Sequence, residues 1–467
     1  MSTNRTFNAA GTEKPSEPYN TQTDNYQQDH YQLFFNQNIS SNWKMNITSF
    51  LTRGKGYYEE YKAEQAYNDY GLGNVIIGDD TISTTDLVRQ RWLDNYFFGQ
   101  LYSVEFKNAK HLVTVGGAWT KYEGKHFGNI LWAQNGGVAN DYRYYRYPAT
   151  KSDWNVYAKW LYQLNNNWNL FADAQLRNVM HNMEGFEGTP DLFIKRKFTF
   201  FNPKAGVSYF GKNGWHVSFS YALAHREPNR DDFQAAITEQ PTYETLHDFE
   251  ATIEKKNTKY NFSATYYYMY YNNQLVLTGK INDVGSYSRT NVPNSYRTGV
   301  ELQAGYVFSK WVGVAGNITL SSNKIKSFTE YIDDYDEGKQ QIVQHSNTDI
   351  SFSPNIISSV ALNFIPAKNF EISCPAKFVG KQYLDNTQNN QRSLQQYFTQ
   401  DIRLHYQLND FIFSEWNFML QVNNIFNKQY EPNGYTYPYY YGGELINDNY
   451  YYPMAGTNVM VAVNVKL

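Results

Sequence analysis

Residues Thr457 to Leu467 read T-N-V-M-V-A-V-N-V-K-L. Val459, Val461, Val463, Val465 and Leu467 fall on one face, and Met460, Ala462, Asn464 and Lys466 on the other. A strand shows opposite faces at alternate residues, so this segment is a strand with one unbroken apolar face. In a chain this rich in tyrosine, a strand apolar along one whole side fits the wall of a membrane barrel better than a soluble sheet.

The rest of the composition agrees. The 467 residues include 43 Tyr, 30 Phe and 10 Trp, 18% aromatic in all, while mean hydropathy is only -0.66. Transmembrane barrels combine these properties, because lipid-facing residues alternate with polar ones and aromatic girdles mark both interfaces. No run approaches the ~18 consecutive apolar residues of a spanning helix, and no signal-peptide pattern opens the chain. A formal net charge of -3 argues against a nucleic-acid partner. Cys374 is the only cysteine, which excludes an internal disulfide and a cysteine metal cluster.

Seventeen strands are expected, near 26–38, 42–52, 92–106, 110–121, 153–164, 168–178, 198–210, 214–226, 245–255, 258–270, 296–308, 311–323, 353–365, 369–379, 396–408, 413–425 and 457–467. Alternation is clean in several. Trp215, Val217, Phe219, Tyr221 and Leu223 oppose His216, Ser218, Ser220 and Ala222, and Val300, Leu302, Ala304, Tyr306 and Phe308 oppose Gly299, Glu301, Gln303 and Gly305. Glu105, Lys159, Asp173, Arg177, Glu301, Asp401, Arg403 and His405 belong on the polar face, where a wet lumen accepts charge. Connections alternate between tight turns, such as Ser40-Ser41, Asn165 to Asn167, Lys256-Asn257 and Asn409-Asp410, and long polar segments. Short turns at one end and long loops at the other are the rhythm of an outer-membrane barrel. Trp43, Trp168, Trp215 and Trp311 each follow a short turn, as a belt at that interface requires. Pro375 lacks an N–H for the ladder, so a bulge or break is expected there.

Val422-Asn423-Asn424-Ile425-Phe426-Asn427-Lys428-Gln429-Tyr430, Tyr452-Pro453-Met454-Ala455-Gly456-Thr457-Asn458, the segments His225 to Phe233 and Phe201 to Gly206, and the stretch Asn272 to Pro293 carry a family resemblance. Together they resemble the C-terminal barrel of TonB-dependent outer-membrane receptors of the Bacteroidetes type. The resemblance implies an all-β, antiparallel transmembrane barrel in the cell outer membrane, with long extracellular loops and short periplasmic turns. Its partners would be lipid and lipopolysaccharide, a small ligand such as an iron chelate, and, in the intact family, the TonB complex. Members have a 22-stranded barrel preceded by a plug. Counted back from Leu467, Tyr26 to Asn38 would match the sixth strand. Residues 1–25 would then match an extracellular loop, leaving the plug, the first strands and the TonB-contacting segment without counterparts. Leu467 also stands where an aromatic residue is usual. The implied chain is a partial barrel without energised uptake of its own, its first and last strands either bare-edged or meeting as a parallel pair.

Catalytic signatures are lacking: no H-E-x-x-H, G-x-S-x-G, phosphate loop or C-x-x-C occurs, so no enzyme, cofactor or metal centre is expected. His405 with Asp401 and Arg403 is the tightest ionisable group, and inward charges that pair with one another explain it. The acidic run Asp333, Asp334, Asp336 and Glu337 offers hard oxygen ligands suited to calcium, but it lacks an EF-hand pattern and reads as a solvated loop. The best functional signal is interleaved arginine and tyrosine. Arg143 and Arg146 sit among Tyr142, Tyr144, Tyr145 and Tyr147 in an expected loop. Guanidinium groups bind anionic oxygens in charge-assisted pairs and phenols offer flat faces, which suits an anionic aromatic chelate. Packing of such residues on one another or on lipopolysaccharide is the plainer account. Arg226, Arg230, Arg289, Arg297 and His405 complete the candidate set on loops and lumen. The favoured function is uptake of a scarce nutrient, foremost a ferric siderophore-type complex. A passive porin or structural barrel, and a receptor for haem, cobalamin or glycan, are the alternatives.

Overall fold

The computed structural model describes residues 5–6, 9–235, 240–281 and 287–466, with the side chains of Tyr287, Asp410 and Phe411 outside the description. Leu467 and residues 282–286 of the Asn272 to Pro293 stretch also lie outside it, as do residues 1–4 and 7–8 of the N-terminal segment. Twenty-one strands belong to one sheet, and two further hairpins stand apart from it. The chain forms two compact units, Met1–Trp160 with Asp173–Asn202, and Leu161–Ala172 with Pro203–Leu467.

In the first unit the strands Asp24–Asn38, Trp43–Ala66, Thr84–Lys107 and His111–Ala133 pair in succession, each antiparallel to the next. The register runs from Trp43 opposite Phe106 to Ala66 opposite Thr84. The second unit repeats the pattern through Trp215–Arg226, Glu244–Lys256, Tyr260–Ile281, Tyr287–Ser309 and Val312–Asp334. It continues through Ile356–Ala367, Phe370–Val379, Ile402–Phe411, Phe413–Asn423 and Asn458–Lys466. Asp24–Asn38 pairs with Trp43–Ala66, and Asn458–Lys466 pairs with Phe413–Asn423. A short parallel pairing sets Asp333 opposite Tyr439 and Asp334 opposite Tyr440.

The strands are longer than their sequence patterns suggest. Trp43–Ala66 and Thr84–Lys107 have 24 residues each, and Trp168–Phe186 and Thr189–Phe210 have 19 and 22. About ten tilted residues cross a bilayer, so each strand runs well past it. Much of what reads as long loop is ladder continued into water. There both faces can be covered, and the apolar cores form at these far ends. Tyr70, Leu87 and Ile130 pack together in the first unit, and Val276, Val292, Ile325 and Ile350 in the second. Residues 9–23 tie to the far end of Trp43–Ala66 through Glu13 with Lys62 at 2.7 Å and Tyr19 with Glu59 at 2.7 Å.

Toward the short turns the expected faces hold. Trp43, Trp168 and Trp215 begin their strands on the apolar face and are 44, 41 and 42% exposed. Trp311 departs from this pattern: it lies in the turn before Val312, out of step with Val314, Ile318 and Leu320. On the polar face Arg177 pairs with Asp153 at 2.6 Å, Lys159 approaches Asp173 at 3.9 Å, and Arg403 approaches Asp401 at 3.8 Å. The turn expected at Asn409-Asp410 is displaced to Ile412, between Phe411 and Phe413.

Pro375 acts on its neighbour rather than its own strand. Phe370–Val379 runs unbroken, with Pro375 opposite Ala361. On its other side the ladder splits into Tyr397–Gln400 and Ile402–Phe411 at Asp401, whose N–H still donates to Pro375 O at 2.9 Å. The register is the same on both sides of the interruption, Ala376 with Gln400 and Ser373 with Arg403. A missing donor therefore removes rungs without a bulge.

These faces make a direct test. Val461, opposite Leu420, lies on the apolar face, and Gln421, opposite Met460, on the polar one. Val461→Arg is expected to cost roughly 2–4 kcal/mol in urea unfolding from liposomes. Gln421→Arg is expected to cost no more than ~0.5 kcal/mol, as for a solvated surface change.

Candidate functional site

The Tyr142 to Tyr147 segment is not a loop: it opens the strand Tyr142–Gln163. Strand geometry turns Tyr142, Tyr144 and Arg146 to one side and Arg143, Tyr145 and Tyr147 to the other, so the two arginines face opposite ways. Tyr142 Oη donates to Tyr70 O at 3.1 Å. The Tyr144 ring meets the edge of Tyr70 at 4.9 Å and that of Tyr145 at 4.9 Å, and Tyr145 stacks on Tyr147 at 5.3 Å. Arg143 lies over the Phe127 ring at 4.2 Å, and Arg146 is exposed.

The cations that meet these tyrosines were not in the sequence-derived set. Arg89 and Arg91 are two apart on Thr84–Lys107 and share a face. Arg89 donates to Glu60 Oε1 at 2.9 Å and to Tyr70 Oη at 3.0 Å. Arg91 donates through Nε and Nη2 to Glu187 Oε2 at 2.8 and 2.5 Å. Tyr144 Oη donates to Glu187 Oε1 at 3.1 Å. This cluster lies some twenty residues from the short turns, beyond a bilayer's reach. Burial pushes the Tyr144 and Tyr145 phenols up, with the Glu187 charge adding to it, so both stay protonated donors. Burial works against the charge of Arg89, but the surrounding Tyr144, Tyr70, Glu60 and Glu187 outweigh it and hold the guanidinium protonated.

In the second unit most of the candidate arginines are engaged. Arg226 makes a two-pronged pair with Glu244, Nε to Oε1 at 2.9 Å and Nη2 to Oε2 at 3.0 Å. Arg289 pairs with the buried Asp232 at 3.2 Å. Asp232 also caps the short helix Arg230–Ala235, which carries Arg230, by exchanging bonds with Asn229. Arg297 donates to Ser353 Oγ at 2.8 Å and lines a cavity of about 510 Å³ with Tyr267, Met269, Gln274 and Glu301. His405 is remote from this group along the chain, near the Ile412 turn, where its Nε2 meets Asn417 Oδ1 at 3.1 Å.

A further hub escaped sequence reasoning. Arg392, only 1% exposed, donates through Nη1 to Glu330 Oε1 at 2.5 Å and Asp385 Oδ2 at 2.8 Å, and through Nε to Asn447 at 2.5 Å. His345 meets the other oxygen of Glu330 at 2.8 Å. The connection 380–396 that carries Arg392 is partly buried, with Leu384, Asn386 and Leu394 essentially inaccessible. The acidic run serves a turn. Asp334 accepts from Gln341 at 2.7 Å and from the N–H groups of Asp336 and Glu337 at 3.1 Å each. Asp336 accepts the N–H groups of Gly442 and Gly443 at 2.9 and 2.8 Å, clasping a second hairpin whose turn needs the positive φ of these glycines. Among the described residues no three or more His, Cys, Asp or Glu side chains converge as metal ligands.

Long antiparallel strands with an apolar exposed face, a charge-paired polar face and short turns at one end define an outer-membrane receptor barrel. The chain belongs to the family described as TonB dependent receptor-like, beta-barrel, whose profile matches residues 2–425. That family is one of outer-membrane transport receptors, not enzymes. Among solved structures, the ferric-catecholate import receptor Fiu from K12 E. coli is 15% identical with a TM-score of 0.65, covering 96% of this chain and 65% of that one. The siderophore receptor PiuA from Acinetobacter baumannii is 14% identical at TM-score 0.68, covering 95% and 64%. The copper transporter OprC is 10% identical at TM-score 0.65, covering 94% and 74%. The chain thus spans somewhat under two thirds of the length of Fiu and PiuA. No curated protein sequence matches it.

Two outcomes follow from the hub and the turn. Arg392→Met strands Glu330 and Asp385 without their cation, which is expected to cost about 3–5 kcal/mol and to strip hydrogen-exchange protection from residues 380–396. Asp334 is held below the usual carboxylate range, chiefly by the Gln341 bond and then by the Glu337 and Asp336 N–H groups. A depressed pKa stabilises the turn above the unfolded value and loses that stabilisation as pH falls through the folded one. Exchange protection of the Asp336 and Glu337 amides is therefore expected to hold from neutral pH down to about 4 and to decline only below it.

Proposed function

We propose that this chain forms the barrel of a TonB-energised receptor that imports a scarce nutrient, foremost a ferric siderophore-type complex. The observation that carries this reading is the family match over residues 2–425, on a fold shared with receptors for ferric catecholate and other siderophores. The chemistry of the far strand ends supports it. Phenols of Tyr70, Tyr144 and Tyr145 stand beside the guanidinium groups of Arg89 and Arg91, a combination suited to flat, anionic ligands. Arg297 in its cavity supplies a second such cation. The apolar strand faces meet lipid, exposed aromatic side chains meet lipopolysaccharide, and residues 1–25 serve as an extracellular segment leading into the strand Asp24–Asn38.

Disrupting the gene in iron-limited cells is expected to lower accumulation of radioactive iron supplied as a ferric catecholate, and inactivating TonB is expected to cause the same loss. Undiminished, TonB-dependent uptake in the disrupted strain would sink the iron reading.

A further inference from the structure

Glu187 stands in an unusual place for the partner of a strand arginine. It lies in the two-residue turn Glu187-Gly188 between Trp168–Phe186 and Thr189–Phe210, 96 residues from Arg91 in sequence. Phe186 is fully buried, and Gly185, at φ +85°, lies so close to the Tyr147 ring that a Cβ there would come within 2.5 Å of it. These contacts fix the hairpin tip by packing. The Arg89 guanidinium is likewise fixed without Glu187, by Glu60 on the adjacent strand and by the Tyr70 phenol. The Glu187 side chain is still one-fifth exposed, which leaves it room to rotate toward solvent.

What it would leave is a preformed site. Arg91 offers two parallel N–H donors, Arg89 Nη1 lies 3.6 Å from the other carboxylate oxygen, and Tyr144 Oη adds a third donor. The rings of Tyr144 and Tyr145 meet nearly at right angles beside it, 4.9 Å apart. Fork geometry selects a carboxylate, and the rings favour an aromatic group attached to it. We propose that Arg89 and Arg91 form a binding site for the carboxylate of an aromatic acid, and that Glu187 occupies it as an internal competitor. A tethered competitor acts at an effective concentration in the millimolar range, so it weakens apparent affinity without altering the site. This names a ligand class for the receptor reading and rests on that reading only for its biological role.

Benzoate is the probe, titrated into the purified full chain in detergent and followed by calorimetry, with acetate as the control lacking a ring. Glu187→Gln keeps the side-chain shape and removes the competing charge, and is expected to tighten benzoate binding about tenfold over the wild type. Acetate should bind more weakly than benzoate to the same variant, and adding Arg91→Gln should erase the gain. A folded E187Q chain that binds benzoate no better than the wild type overturns the proposal, as does an equal gain that survives loss of Arg91. Where E187Q does not fold, Glu187→Asp withdraws the carboxylate by one methylene while keeping its charge. The same direction of change is expected there, and its absence is equally decisive. Because no uptake is measured, failure here leaves the receptor reading standing, and failure of iron uptake leaves this site standing.

Discussion

In lipid there is no water to satisfy a peptide N–H or C=O, so a spanning chain must pair each one with a neighbouring strand. Most other features of this molecule depend on that constraint. Continuous ladders demand extended backbone, extended backbone points side chains alternately to two faces, and the two faces then meet different solvents. Apolar residues such as Val459 and Val461 collect on one face, and charged residues such as Arg177 and Asp153 collect and pair on the other. The register fixes these assignments, since a slip of one residue would exchange the faces. The interruption opposite Pro375 shows how sparingly the rule is relaxed: rungs are lost, the register is kept, and Asp401 N–H still finds Pro375 O.

Beyond the bilayer the same ladders continue under a different rule. Water satisfies any exposed backbone, so both faces are free to be covered by side chains, hairpins and connections. That is where the two apolar clusters form, around Ile130 in one unit and Ile325 in the other. It is also where charge is driven into shelter. A buried guanidinium must be paired, since removing one member leaves several kcal/mol of uncompensated desolvation. Arg392 meets this with two carboxylates and an amide oxygen, while the half-buried Arg289 and the exposed Arg226 each still hold one carboxylate. Such pairing is why an arginine-rich segment overstates how many cations remain for a ligand.

The wall of the barrel was legible in the sequence because its signals are local. Two-residue alternation, tight turns such as Asn165 to Asn167, and tryptophan at the start of strands are each visible within a dozen residues. The far strand ends were not, for two physical reasons. Their composition is polar and tyrosine-rich, so Tyr142 to Tyr147, whose arginines recur at every third residue, reads as loop although it opens a strand. Their partners are also distant in sequence: Arg91 meets Glu187 across 96 residues and Arg392 meets Glu330 across 62. Nothing near Arg89, Arg91 or Arg392 marks them, whereas the doubled tyrosines around Arg143 drew attention to a residue that instead covers Phe127. The turn at Ile412 was missed because Asn409-Asp410 carries the stronger turn chemistry.

The wall of such a barrel and a ligand site therefore answer to separate demands. A ferric-catecholate receptor, a siderophore receptor and a copper transporter share this fold at 10 to 15% identity. Alternation tolerates that divergence, because any apolar residue serves on the lipid side and any paired polar residue on the other. What a barrel of this kind binds has to be decided where side chains converge rather than alternate. In this chain the strand extensions are such places: they are rigid because the ladder continues into them, and they are free of the bilayer's demand for one apolar face. Rigid strands place two guanidinium groups two residues apart on one face, Arg89 held by Glu60 of the adjacent strand and Arg91 by Glu187 of a hairpin tip.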